Sequence, residues 1–360
     1  MVRSLSLPLA MIASSLMLLP GNIHPGFFIA TKTAVVPQVM VSTINFHIQA
    51  AAGPVTSISQ PTGITFEKNI NFPTTAGMLY ITDGPNKKIY YVNIASTYGR
   101  LFASGTNSPY DIIFSYNGRV EVTDNDRIAE YTWSYGYTQP SYPVITTYTP
   151  GYVNGNKISS RFDNLKGIVK DPATGMIYLA DYHNNRIRKL YNQTPIQLVS
   201  ISYAGNGLAS FADGPAGNAG FNGPTGIDVD SRGNIIVADK MNNRIRAVTP
   251  AGLVRTIAGN GAIGSANGAG SNATFNHPTD IAVDSQDNIY VADQDNNLIR
   301  KIDRSGIVST YAGTGKPGNR DGLAKEAEFN KPLCLTIDKA NNILYLTDYQ
   351  NASVRKIFLH

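Results

Sequence analysis

Three stretches of this chain lie over one another almost without gaps: PTGIDVDSRGNIIVADKMNNRIRAV from Pro224, PTDIAVDSQDNIYVADQDNNLIRKI from Pro278 and PLCLTIDKANNILYLTDYQNASVRKI from Pro332. Successive starts are 54 residues apart. A fixed period with fixed punctuation means that one supersecondary unit is used repeatedly, and such a unit buries its apolar face only against its neighbours. Each unit runs as an apolar segment, an Asp/Asn/Gly turn, a second apolar segment, an Asp-Asn turn and a segment carrying Arg. Short antiparallel strands joined by tight turns produce that pattern.

Weaker copies lie upstream. Residues 165–190 keep nearly every position, with Leu165 in place of the proline, and further copies open at Pro61 and Pro109. The Asp that ends the second strand of each unit is then Asp83, Asp124, Asp181, Asp239, Asp293 and Asp348, which gives six units. A fourth strand follows in several of them: LVSISYAG from Leu198, LVRTIAG from Leu253 and IVSTYAG from Ile307. The sixth unit stops at His360, just after its third strand. The missing strand is available at the other end, as PVTSIS over residues 54–59. An N-terminal strand lent to the last blade closes a ring and leaves no exposed edge there. The expected fold is therefore all-β, a six-bladed β-propeller over residues 54–360, closed by an N-terminal strand completing the last blade.

These residues resemble the NHL repeat family, whose units read approximately P-x-G-I-x-V-D, then G-N-I-Y-V-A-D, then N-x-R-I. The resemblance runs over residues 54–360 and is weakest in the first two units. It implies that the turn Asp and Asn side chains satisfy backbone groups while Arg packs across blades. Some cytoplasmic members bind RNA through a basic face, and amidating lyases of the same fold hold zinc with channel histidines. Both are comparisons for this chain to meet.

The N-terminus is unlike the rest. A basic start, Met1-Val2-Arg3, precedes an uncharged run over residues 5–19 that is broken by Pro20-Gly21. That reads as a secretory signal over residues 1–21, too short for a membrane span, with residues 22–53 a leader or linker. The mature chain is then expected to carry no transmembrane span and to be secreted or at the cell surface, periplasmic in a bacterium. A net charge of +5 spread over 360 residues, with no block of like charge, argues against a nucleic-acid partner. The single cysteine, Cys334, excludes an intramolecular disulfide.

Several patterns carry candidate chemistry. Gly259-Asn-Gly261-Ala-Ile-Gly264 matches a dinucleotide fingerprint by spacing, but it lacks the following helix that would hold a pyrophosphate. The loops around it repeat Asp213, Asn267 and Asp321, each followed by Gly, and then Phe221, Phe275 and Phe329. They share one face with the second-to-third-strand turns and build a rim, where binding surfaces usually lie on a rigid scaffold. Near that rim fall Arg186, Arg188, Arg244, Arg246, Arg300 and Arg355, which with Asp213, Asn267 and Asp321 are the rim ligand candidates. Two positions after each blade opening come Gly63, Asp111, Gly167, Gly226, Asp280 and Cys334, pointing toward the channel. Asp111 and Asp280 are weak candidates for a channel cation; two acids do not make a metal site, and no metal or other cofactor is assigned. Twelve of the 20 tyrosines fall between Tyr80 and Tyr152. Among them Tyr131, Tyr135 and Tyr137, with Trp133, alternate onto one face of a strand if it runs that far, as an aromatic contact patch.

The sequence supports a non-catalytic scaffold binding a protein or carbohydrate partner through its loop rim or its tyrosine-rich blades, with no catalytic residue assigned. The alternatives are a propeller enzyme of the lyase or metal-dependent hydrolase kind, told apart by polar side chains converging at the channel mouth, and an RNA-binding propeller.

Overall fold

Strands with both faces apolar have to be covered on both sides. The second strands of the middle units meet that demand: Ile177–Asp181, Ile235–Asp239 and Ile289–Asp293 are buried along their whole length. The computed structural model describes residues 38–49, 58–68, 77–115, 119–134, 137–145, 149–194 and 197–359. Among these residues the strands form six sheets, each ordered from an innermost first strand to an outer fourth strand. Blade four is representative, with Pro224–Val229, Ile235–Asp239, Arg244–Val248 and Leu253–Ala258. The other blades open at Pro61–Glu67, Pro109–Phe114, Leu165–Lys170, Pro278–Val283 and Pro332–Asp338. A two-residue piece of the preceding loop, such as Gly214–Pro215, adds a short fifth strand to the outer edge of blades three to six.

The core is divided into six clusters, each at one junction between neighbouring blades. Phe221, Phe275 and Phe329 are fully buried in three of them, as the loop spacing predicts. The innermost strands approach so closely that three of the channel positions, Gly63, Gly167 and Gly226, have to be glycine. A Cβ on Gly226 would lie 2.0 Å from Asp280 Oδ1, and one on Gly167 would lie 2.4 Å from the Thr225 carbonyl oxygen.

An N-terminal strand does close the ring, but it is Met40–Ile44 and not residues 54–59. It pairs antiparallel with Ser353–Phe358, matching Val41 with Ile357 and Thr43 with Arg355. Val41 is buried in the cluster between blades five and six. Thr43 donates from its backbone N–H and Oγ1 to Asp321 at 2.9 and 3.0 Å. Thr256 in blade four does the same to Asp213 at 3.1 and 3.2 Å. Residues 58–60 serve instead as the lead-in to blade one. Ser59 N–H donates to Asp83 at 3.0 Å, the place taken in blade four by Asn222 N–H on Asp239 at 2.8 Å. Residues 54–57 lie outside the described residues.

Candidate functional site

The repeated Asp-x-x-Asn-Asn turn is an assembly device. In blade four Asp239 accepts from Asn222 N–H, from Asn242 Nδ2 at 2.8 Å and from Arg246 Nη1 at 2.7 Å. The next residue, Asn243, takes a left-handed backbone (φ 50°) and accepts from the His277 N–H of blade five at 2.9 Å. Asn185 and Asn297 make the same link, to Gly223 and Lys331. Asn, not Arg, thus ties one blade to the next, because its side chain mimics a turn backbone and tolerates positive φ.

Four of the arginines stay within their own blade and its preceding loop. Arg188, Arg246, Arg300 and Arg355 have no exposed surface and pair with Asp181, Asp239, Asp293 and Asp348 at 2.7–2.8 Å. The rim candidates Asp213 and Asp321 meet the same guanidiniums at 2.6 and 2.7 Å, and Asn267 accepts from Arg300 at 2.8 Å. Arg246 also donates to the carbonyls of Gly220 and Ala212, so its planar fork clamps the loop to the blade. Four of the six rim arginines are therefore sealed inside the collar and do not reach a ligand. Arg186 and Arg244 lie nearer the surface, where they hold the carbonyls of Asn206 and Asn260 and cover the rings of Tyr152 and Phe211.

Along the axis the channel narrows to a waist. Cys334 Sγ lies 2.9 Å from Asp280 Oδ2 and 3.4 Å from Asp111 Oδ1, so the thiol hydrogen is within reach of both carboxyls. Each acid also latches the next blade: Asp111 accepts from Ile168 N–H at 3.0 Å and Asp280 from Leu335 N–H at 2.7 Å. Burial pushes Asp111 up to about 6, and burial and the neighbouring Asp111 hold Asp280 well above the usual carboxylate range. Among the described residues no group of three His, Cys, Asp or Glu side chains is placed to hold a metal ion. Below the waist a cavity of about 240 Å³ is lined by Asp111, Asp228, Asp280, Lys170 and Lys339.

On the loop face the channel opens into a larger mouth of about 580 Å³. Most of its wall comes from two positions of the repeat: the residue after the blade-opening Pro, and the first residue of the second-to-third-strand turn. Those positions supply Tyr110 and Lys166 from the first set, and Tyr182, Lys240, Gln294 and Tyr349 from the second. The Lys166 ammonium sits 4.1 Å from the centre of the Tyr110 ring and 5.8 Å from that of Tyr182. Lys240 Nζ donates to Gln294 Oε1 at 3.1 Å. Burial, with the nearby Lys240 charge, lowers Lys166 to about 8. Burial lowers Lys240 too, opposed by Asp295. Tyr110 is close enough to Cys334, Asp280 and Asp111 that, after burial, their charges raise its hydroxyl further, and it floors the mouth above the waist. His183 stands at the edge, its Nδ1 2.8 Å from Asp163 Oδ1.

The sequence placed His183 near the rim but did not single out Tyr110, Lys166, Tyr182, Lys240, Gln294 or Tyr349. A signal was present, since they occupy positions where otherwise matching repeats disagree. The proposed aromatic patch does not form as one strand face. Tyr131 is buried against Phe102 between blades one and two. The strand Arg127–Ser134 ends after Trp133, and Tyr137 begins the next strand opposite Ser134. Tyr135 lies outside the described residues, as does the expected signal segment. Among the described residues no helix is long and apolar enough to cross a membrane.

The sheets and their closure make the chain a six-bladed β-propeller. The NHL repeat family matches at residues 221–247 and 275–302, which fall in blades four and five. The chain is similar to NHL repeat-containing protein 2 of Bos taurus, 32% identical over 155 residues, which cover 39% of this chain and 21% of that protein. It spans about a fifth of the length of the curated relatives it matches first. Among solved structures the fold resembles an auxiliary nutrient binding protein from Bacteroides ovatus, with a TM-score of 0.66 and 20% identity, over 89% of this chain and 76% of that one. It also resembles virginiamycin B lyase from Staphylococcus aureus, with a TM-score of 0.53 and 14% identity, over 90% of this chain and 99% of that one.

Proposed function

We propose that this propeller is a non-catalytic binding scaffold, exported to the cell surface or periplasm, that holds an extracellular carbohydrate at the loop-face mouth. The observation that carries this reading is the mouth itself: an open cavity walled by tyrosine rings, amides and two lysines, above a waist closed by Asp111, Cys334 and Asp280. Its size falls within the roughly 300–1,000 Å³ typical of small-molecule sites. Tyrosine suits a sugar because one side chain offers an apolar face and a polar tip. A fold neighbour named as a nutrient binding protein supports the reading, as does the N-terminal sequence pattern. A protein partner on the outer loops is the other form of the same scaffold role.

The full chain applied to a glycan array is expected to retain a defined set of glycans, and Tyr182→Ala is expected to lose them. Export is checked separately by mass spectrometry of the N-terminus in the native host; soluble cytosolic protein starting at Met1 would overturn it. A second reading, a lyase, is favoured by the convergence of polar side chains at the mouth, including the His183–Asp163 pair. Shortened or opened products from a bound glycan, stopped by His183→Ala while binding persists, would replace the scaffold reading with that one.

A further inference from the structure

We propose that the mouth recognises an acidic sugar, with Lys166 and Lys240 taking the carboxylate and the surrounding tyrosines taking the ring; the inference rests on the carbohydrate-binding reading above. The two ends of the channel differ in their acids. Among the described residues the mouth is lined by Lys166, Lys240 and His183 with no Asp or Glu, whereas the opposite cavity sets Asp111, Asp228 and Asp280 beside Lys170 and Lys339.

The nearby carboxylates are already engaged. Asp163 faces His183 at 2.8 Å, and Asp295 is shared between His277 at 2.7 Å and Lys331 at 2.6 Å. The waist acids lie beneath Tyr110, turned toward Cys334 and backbone donors. Among the described residues Lys166 thus meets ring faces and not a carboxylate. Lys240 meets the neutral amide of Gln294. Two ammonium groups on adjacent blades, partly withdrawn from water and repelling each other, favour an oxyanion between them.

The rest of the wall decides what carries that anion. Lysine is a compact point charge and does not select a ligand by shape. Selection falls to the Tyr182 and Tyr349 rings and to polar groups such as Gln294 and Asn164. A pyranose ring presents C–H faces to aromatic rings and hydroxyls to amides, so a uronic acid uses the whole wall. A free phosphate would use the lysines alone.

The test is calorimetric titration of the full chain with glucuronate and galacturonate oligomers, neutral glucose and galactose oligomers of the same length, and inorganic phosphate. The acidic oligomers are expected to bind at least about tenfold more tightly than the neutral ones, as hydrogen bonds to a charged group imply. The double variant Lys166→Met/Lys240→Met is expected to erase that preference while circular dichroism shows the same fold. Neutral and acidic oligomers binding equally, or an unaffected double variant, would overturn the two-lysine subsite and leave the carbohydrate reading standing. Phosphate binding as tightly as uronate would overturn the sugar assignment. An array that retains no glycan at all would remove the carbohydrate reading and this subsite with it.

Discussion

Two sets of cations occupy the loop-bearing end of this propeller, and they have opposite fates. Arg188, Arg246, Arg300 and Arg355 are wholly buried, and each is paired with an Asp of its own blade. Lys166 and Lys240 stand in the mouth of the channel, one against tyrosine rings and the other against an amide. The arginines repeat because every blade needs its loop clamped. The lysines do not repeat, because the mouth has a different wall on each blade. A cation whose partners are all supplied by the fold belongs to the scaffold; one left without a carboxylate in a cavity is available to a ligand.

The sharpest way to break this contrast is to remove a scaffold cation. Arg246→Ala strands Asp239 as a buried charge and frees Asp213 and the loop carbonyls, which is expected to cost about 3–5 kcal/mol in chemical denaturation. A variant that unfolds at the wild-type midpoint would show that the collar is not structural. Replacing a mouth cation should do the reverse. Lys166→Met is expected to lower affinity for glucuronate oligomers about tenfold or more, with thermal stability unchanged or raised because a poorly solvated charge is gone. Loss of stability without loss of binding would move Lys166 into the scaffold set.

Acidity offers a finer probe. With Lys166 held to about 8, in the company of Lys240, His183, Tyr110 and Tyr182, acidic-sugar affinity is expected to fall by several-fold between pH 7 and pH 9. Lys166→Met should flatten that profile, and a wild-type affinity that stays constant to pH 9 would contradict the assignment.

The smallest expected effect lies at the waist. The folded state raises Asp280 above its unfolded value, so its stabilising contribution is complete below about pH 4 and is lost as pH rises through the folded value. Asp280→Asn is therefore expected to gain stability over wild type at pH 8 and none at pH 4, with binding at the mouth intact. Equal melting shifts at both pH values would mean that charge is not the cause.

Much of this architecture was written in the chain. The 54-residue period, the Asp that ends each second strand and the Phe three residues before each later blade specified six sheets and their plugs, because these features come from local alternation and turn chemistry. Even the closing strand had a sequence signature that residues 54–59 lacked: Val41-Ser42-Thr43 repeats Val308-Ser309-Thr310 of blade five. Only the tertiary structure decided which charges face inward. Arg246 and Lys240 are six residues apart, and neither periodicity nor composition says that one meets Asp239 and a loop while the other enters the channel. That choice depends on loops folding back over their own blade and on six first strands meeting at one axis. Those contacts join residues more than 30 positions apart, such as Arg246 with Asp213 and Cys334 with Asp111, and a repeat pattern read one unit at a time does not contain them.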